Sequence, residues 1–349
     1  MTLNHVLILG AGPAGLSAAI ALSQLSDTPC AKQLRITVLE LRPEPSTLGG
    51  SINLTPLAMR YLDRVGVGAR LRPRGIPVRA IDMLSLRTGK LMGSLWPDVD
   101  ALRVKRMDLV NCMLEAIAER TNVQVRFGVR VIKIDEECGA AGEGRIVLTF
   151  ENGEQIDGDV LLGCDGLHSA ARKLHVEPER KEVYSGKAVA YGFVATPEAE
   201  QVDFKRADGN PAIRDSTLVS GQHGALVLSF YEPTRQSLYL GGVMGMDDEH
   251  EGSKEGWRAR GEDKSKVRGD ILARFQGESM PGFSGLIGKC EDWCLFPVYR
   301  LPPNGRWSRG RVILLGDAAH AVSQGDIDSR IDEVIDAACR CRLRERVPE

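Results

Sequence analysis

The strongest constraint on this chain lies at its start. His5-Val6-Leu7-Ile8-Leu9 is a short apolar run of the kind that forms a strand buried on both faces of a parallel sheet. It leads straight into Gly10-Ala11-Gly12-Pro13-Ala14-Gly15, a G-x-G-x-x-G, followed by Leu16, Ala19, Ile20 and Ser23 at helical spacing. Gly10 permits the tight turn, Gly12 lets a pyrophosphate approach the backbone, and Gly15 lets the helix pack closely on the strand. Free N–H groups and the positive end of the helix dipole then face the phosphates. Pro13 fits the first turn, where its missing N–H costs nothing. The next strand, Arg35-Ile36-Thr37-Val38-Leu39, ends in Glu40, 25 residues beyond Gly15. An acid at that place accepts hydrogen bonds from a ribose diol. A glycine turn alone says little, but strand, glycines, helix, second strand and acid in order predict a dinucleotide fold. Glu40 would repel a 2′-phosphate, so FAD or NAD is expected here rather than NADP.

Composition sets limits on the remainder. A chain of 349 residues suggests roughly two domains, and 43% hydrophobic with 26% charged residues is the balance of a soluble globular protein. Lys plus Arg number 45 against 47 Asp plus Glu, without the basic excess that nucleic-acid binding usually leaves. Glycine, at 38 residues, exceeds its usual share of roughly 7%. The apolar run Val6 to Leu22 has no basic flank and is interrupted by Gly10, Gly12, Pro13 and Gly15, so neither a signal peptide nor a membrane span is expected. The eight cysteines (Cys30, Cys112, Cys138, Cys164, Cys290, Cys294, Cys339 and Cys341) include no C-x-x-C. They read as reduced thiols in a cytoplasmic protein, with no metal site.

Two later segments narrow the choice of ligand. Val160-Leu161-Leu162-Gly163-Cys164 reads as a buried strand ending in Asp165-Gly166-Leu167-His168-Ser169-Ala170-Ala171-Arg172, and Arg311-Val312-Ile313-Leu314-Leu315 reads as another, followed by Gly316-Asp317-Ala318-Ala319-His320. With the N-terminal glycines these form a set. The chain resembles the single-component, class A flavin-dependent monooxygenases, which include aromatic hydroxylases of the salicylate and 4-hydroxybenzoate type. Gly10 to Gly15 resembles their ADP-binding motif, Asp165, Gly166, Ser169 and Arg172 their D-G-x-x-S-x-x-R, and Gly316-Asp317 their G-D motif. Leu48-Gly49-Gly50-Ser51-Ile52-Asn53-Leu54 resembles the segment running toward the flavin ring, and Arg106-Met107-Asp108-Leu109 the family's R-x-x-L. The resemblance spans residues 3 to about 323.

The resemblance implies an α/β fold in which a Rossmann-like FAD domain, residues 1–76, 98–178 and 295–349, interleaves with a smaller β-sheet substrate domain, 77–97 and 179–294. It implies FAD contacts at Gly10, Gly12, Ala14, Gly15, Glu40, Arg42, Gly50, Arg106, Asp165, Gly166, Arg172, Gly316 and Asp317. Asp317 would hold the ribityl chain, while Asp165 and Arg172 would serve the pyrophosphate and a transient NAD(P)H. Arginines near a pyrophosphate make chemical sense, since guanidinium pairs bidentately with phosphate, but Arg103 and Lys105 read as solvated surface charges. The implied reaction is transfer of one atom of O2, through a flavin C4a-hydroperoxide, to a phenolic or other electron-rich small molecule. The cofactor carries that chemistry, so no catalytic base and no metal ligand is expected.

Within the substrate part, residues 77–97 read as a hairpin turning at Thr88-Gly89-Lys90, and Val189 to Val194, Ala225 to Tyr231 and Ser237 to Val243 as strands. Asp247 to Arg274 reads as a charged helical region. His168 and His223 read as ordinary polar residues, His320 as structural, and Tyr191 and Tyr231 as sheet core. After Ser323 the resemblance stops. The family continues into a helix whose N-terminus faces the flavin, whereas Ile327, Ile331, Val334, Ile335 and Ala338 suggest only a short amphipathic helix. The chain is therefore expected to be short by a flavin-supporting segment. Two other readings follow: a flavin reductase or dehydrogenase of the same fold, and an inactive FAD-binding remnant.

Overall fold

The computed structural model describes residues 3–25, 34–47, 49–95, 99–138, 144–200, 204–213, 216–247, 254–276, 280 and 282–321. The apolar run His5–Leu9 forms strand β1, Pro13–Leu25 helix α1, and Arg35–Leu39 strand β2. β1 is buried at every position, and α1 turns Gly15, Leu16, Ala19, Ile20 and Ser23 inward, the face its 3.6-residue spacing predicts. β1 lies at the middle of a six-stranded sheet. It pairs in parallel with β2 on one side and with Val160–Gly163 on the other, and Val160–Gly163 pairs in parallel with Val312–Leu314. Val123–Arg126 continues the sheet beyond β2. Leu9 lies level with both Leu39 and Gly163, and Gly163 with Leu314, so four strands end side by side. Helix Arg106–Ala118 packs with α1 on one face of this sheet. A three-stranded antiparallel sheet, Val131–Cys138, Gly144–Phe150 and Gln155–Gly158, joins the core on the other.

A second, seven-stranded sheet forms a separate core with helices Lys254–Glu262, Lys264–Arg274 and Phe283–Lys289. Its strand order begins with Cys294–Arg300, then Val183–Ala195, Ser237–Gly245, Gly224–Phe230 and Ser216–Gly221. It ends with the hairpin Ile81–Ser85 and Leu91–Leu95. Two domain boundaries shift from the sequence expectation. Cys294–Arg300, placed with the nucleotide domain from residue 295, is the edge strand of the second sheet, because seven of its residues find backbone partners on Val183–Ala195. Ile76–Val78, partly placed in the hairpin, instead pairs with Ala101–Lys105 in a small sheet that also contains Ser51–Leu54. The expected tail helix, the cysteines Cys30, Cys339 and Cys341, and the segment start at Leu48 fall outside the described residues. Among the described residues, no helix is long and apolar enough to cross a membrane.

Candidate functional site

Parallel pairing brings the three motifs together, although the first and last lie some 300 residues apart in the chain. Gly10 donates its N–H to Leu39 O at 2.7 Å, Cys164 donates to Leu9 O at 2.8 Å, and Leu315 to Gly163 O at 2.8 Å. The turns after these strands therefore share one corner, at the carboxyl edge of the sheet where α/β folds bind ligands. Gly10 has φ of +103°, and a Cβ there would stand 2.5 Å from Cys164 O. Glycine alone meets both demands. Gly316, at φ of +60°, lies where a Cβ would be 3.2 Å from the Ala14 methyl, so the last motif touches the first.

The corner is built to receive a phosphate-bearing ligand. A Cβ on Gly12 would meet nothing within 4 Å, which leaves the backbone open to approach. The N–H groups of Ala14 and Gly15 open α1 and have no intrahelical acceptor. Glu40 Oε2 accepts from Ala11 N at 2.8 Å and Oε1 from Arg42 N at 3.0 Å. This fixes the carboxylate under the loop with lone pairs to spare. Arg42 donates to Ser46 O at 2.7 Å. The Asp317 side chain is exposed at the first residue of the short helix Asp317–His320. These features fit FAD.

Asp165 and Arg172 are differently employed. Asp165 accepts from Ser169 Oγ at 2.6 Å, Ala170 N at 2.6 Å and Ala171 N at 3.1 Å. Burial pushes its carboxyl pKa up, against the pull of those hydrogen bonds. Gly166 takes the positive φ of the turn that follows. Arg172, fully buried, donates to Ala318 O at 3.0 Å and Leu167 O at 2.5 Å, and reaches Glu182 at 3.4 Å. Arg180, which no motif singled out, donates to Ala319 O at 3.0 Å. The D-G segment and its extension thus hold the carbonyls of the G-D segment in place. Glu182, also unpredicted, accepts from Lys173 at 2.7 Å and pairs with His168 at 2.5 Å. Burial opposes its ionisation, but the Lys173 and His168 contacts win and hold its pKa at about 2. His168 is therefore tied to Glu182 beside Lys173 and Arg172 rather than standing as a lone polar residue. His320 stacks on Trp307, consistent with a structural role.

A cavity of about 950 Å3 opens beside this cluster. His168, Lys173 and Lys181 line it from the segment after the D-G turn, and Trp257, Phe296 and Tyr299 from the second domain.

The two domains also meet across Gly49 and Gly50. Gly49 N donates to Tyr191 Oη at 3.3 Å. A Cβ on Gly50 would lie 2.4 Å from the Tyr239 ring and 3.1 Å from that of Phe193. Gly50 O accepts from Arg106 N at 3.0 Å. The Arg106 side chain runs along Gly49, and its buried Nε has no acceptor among the described residues. Tyr191, Phe193, Tyr231, Tyr239 and Phe296 make ring contacts with one another. Tyr191, expected in the sheet core, instead presents its hydroxyl to the neighbouring domain. Arg103, expected as a solvated charge, is 4% exposed and donates from Nε to Asn53 Oδ1 at 2.8 Å. Lys105 stays partly exposed over the Tyr231 ring. The period-2 alternation of the strand puts both on one face; burial of that face depends on the other domain.

Comparison with known proteins agrees with this geometry. Residues 4–255 match the FAD binding domain family. The chain is 27% identical to 3-hydroxybenzoate 6-hydroxylase of Polaromonas naphthalenivorans over 333 residues, covering 91% of this chain and 74% of that protein. It is 26% identical to FAD-dependent urate hydroxylase of Klebsiella pneumoniae over 344 residues, covering 94% and 79%. Among solved structures, Klebsiella pneumoniae HpxO complexed with FAD and uric acid superposes with a TM-score of 0.69 at 24% identity, covering 91% and 74%. FqzB gives 0.71 at 23% identity, covering 91% and 70%. Both share this chain's two-domain fold.

Proposed function

The chain belongs to the FAD binding domain family, among the class A FAD-dependent aromatic hydroxylases, and on that premise we propose that it uses NAD(P)H and O2 to hydroxylate a phenolic or other electron-rich small molecule. The observation that carries this reading is the meeting of three turns at one sheet corner, with Gly49-Gly50 leading from it to an aromatic wall. FAD, when bound, would supply the redox chemistry that couples oxidation of NAD(P)H to insertion of one oxygen atom of O2 into the substrate and release of the other as water. The protein's own work is binding, orientation and exclusion of water.

In this reading Gly10, Gly12, Ala14 and Gly15 receive the pyrophosphate on the N-terminus of α1. Glu40 accepts from the ribose, with Arg42 beside it, while Gly50 and Arg106 adjoin the ring system. Gly316 and Asp317 adjoin the ribityl chain. Asp165, Gly166 and Arg172 act on the ligand indirectly, by shaping the turns that touch it. The cavity beside His168 supports NAD(P)H as electron donor, since it offers cations for phosphates and aromatic faces for a planar ring. Tyr191 and Tyr239 shield the substrate side from water, and Phe193 extends the aromatic wall at its edge.

The test is to purify the protein with FAD, supply NAD(P)H, isotope-labelled O2 and a panel of phenols, and follow the label. Label in a hydroxylated product supports the reading. NAD(P)H consumed with no labelled product from any phenol points to a reductase. A colourless protein that takes up no FAD overturns the assignment.

A further inference from the structure

Helix α1 is composed for cover on more than one side. Its thirteen residues carry no charge, and Ser17, Ser23 and Gln24 are its only polar side chains. A helix that offers water no charged face is normally covered all round. Burial is confined here to Gly15, Leu16, Ala19, Ile20 and Ser23. Ala14, Ala18, Ala21, Leu22 and Leu25, spaced i, i+4, i+7, i+8 and i+11, form a second apolar stripe along one side of the helix. Ala14, Ala18 and Leu22 are half-buried, Ala21 is exposed, and Leu25 is 53% exposed. The stripe lies on the side of the strand Val312–Leu314. A Cβ on Gly316, just beyond that strand, would be 3.2 Å from the Ala14 methyl.

The sheet beneath is open on the same side. Val38, Ile8, Leu162 and Ile313 form one row across four paired strands, and residues level in a register share a face. Val38 and Ile8 are fully buried, Leu162 is half-buried, and Ile313 is 40% exposed. Leu315, two residues on, is half-buried as well. Val312 and Leu314, on the opposite face, are fully buried. The result is an apolar groove, floored by Leu162, Ile313 and Leu315 and walled by the outer stripe of α1. Contiguous apolar surface of this kind marks a place where another segment packs.

We propose that this groove takes the chain's own residues 327–338, docked as a helix alongside α1. They lie outside the described residues, the last of which is Ala321. Ile327, Ile331, Val334, Ile335 and Ala338 repeat the i, i+4, i+7, i+8, i+11 spacing of the α1 stripe, while Asp328, Arg330, Asp332, Glu333 and Asp336 fall between them. A helix over this segment has one apolar face to bury and a charged face for water. Asp326 and Asp328 at its start and Arg340 and Arg342 beyond its end suit the helix dipole. Twelve helical residues span about 18 Å, close to the ~20 Å of α1. Residues 322–326 extend to about 17 Å, enough to lead from Ala321 into the groove. A tether this short gives a local concentration on the order of millimolar, which favours the tail over a second copy of the chain.

The experiment follows hydrogen exchange of the full chain by mass spectrometry, which depends on neither turnover nor the hydroxylase reading. Amides of 327–338 should exchange about tenfold or more slowly than in a free peptide of the same sequence. Ile331→Asp, in the tail, should return them to the peptide rate. Ile313→Asp, on the floor of the groove, should do the same although it leaves the tail sequence intact. Leu25→Asp, on the α1 wall, repeats the groove-side test if Ile313→Asp does not fold. Protection should not change when the protein is diluted. The proposal is overturned if the native tail exchanges at the peptide rate or if its protection survives the groove-side substitutions. It is also overturned if protection fades on dilution, which is the mark of a second copy in the groove.

Discussion

Arg172 and Arg103 mark two regions that bury the same side chain for opposite ends. At the nucleotide corner, Arg172 is enclosed by the carbonyls of Leu167 and Ala318 and by Glu182, so its charge is answered within the protein. At the domain junction, Arg103 has one neutral partner and an aromatic neighbour. The first arrangement is a brace that joins two chain-distant turns whether or not ligand is present. The second is incomplete in the protein alone, and such incompleteness is typical of functional sites, which give up stability for binding.

Mutations at the corner should have the largest effects. Arg172→Met strips three acceptors of their donor and leaves Glu182 short of a cation. Loss of one partner from a buried charged network costs about 3–5 kcal/mol, which denaturant titration should register together with loss of bound FAD. Gly10→Ala should follow closely. Its positive φ costs about 1–3 kcal/mol for a non-glycine residue, and the contact with Cys164 O adds to this. FAD affinity, measured by flavin fluorescence on dilution, should drop at least as far as stability does.

A pH titration separates the regions more finely. The folded-state pKa of Glu182 lies below its ordinary value, at about 2. The unfolded chain therefore binds the proton first, and stability from this group is complete above the ordinary carboxylate range. It is lost as pH falls from that range through about 2. Glu182→Gln should flatten this part of the acid limb in urea-melt midpoints, while Arg103→Met should leave it unchanged. The smallest effect belongs to Lys105→Met. Lys105 shares the face of Arg103 but is 41% exposed and only 3.5 Å from Glu232, so stability should change by less than about 1 kcal/mol. Urea-melt midpoints check this.

The nucleotide domain was legible because its signals are local. A buried strand, a glycine turn and an apolar helix follow one another between His5 and Leu25, and each rests on spacing that a linear reading can measure. The same holds for the turn residues at Asp165-Gly166 and Gly316-Asp317. The sheet that Cys294–Arg300 joins is not legible, because a mostly apolar run of seven residues carries no mark of its partner strand. Glu182 and Arg180 were missed because charged residues outside a motif look alike until their partners are known. Arg103 was misread for the same reason. Alternation along Ala101–Lys105 implies that Arg103 and Lys105 share a face, but their different burial depends on Tyr239 and Tyr231, more than a hundred residues later.

By itself, then, the sequence determined a dinucleotide fold, the glycines and acid of its first turn, and the order of three turns that follow buried strands. Those features follow from backbone conformation and short-range periodicity, which the local residues control. Only the tertiary structure decided that Asp165 and Arg172 spend their hydrogen bonds on the protein, that Tyr191 faces Gly49, and that Arg103 is buried without a counter-charge. Each of these is a statement about solvent exclusion and partner choice, and both are set by which distant segments pack together.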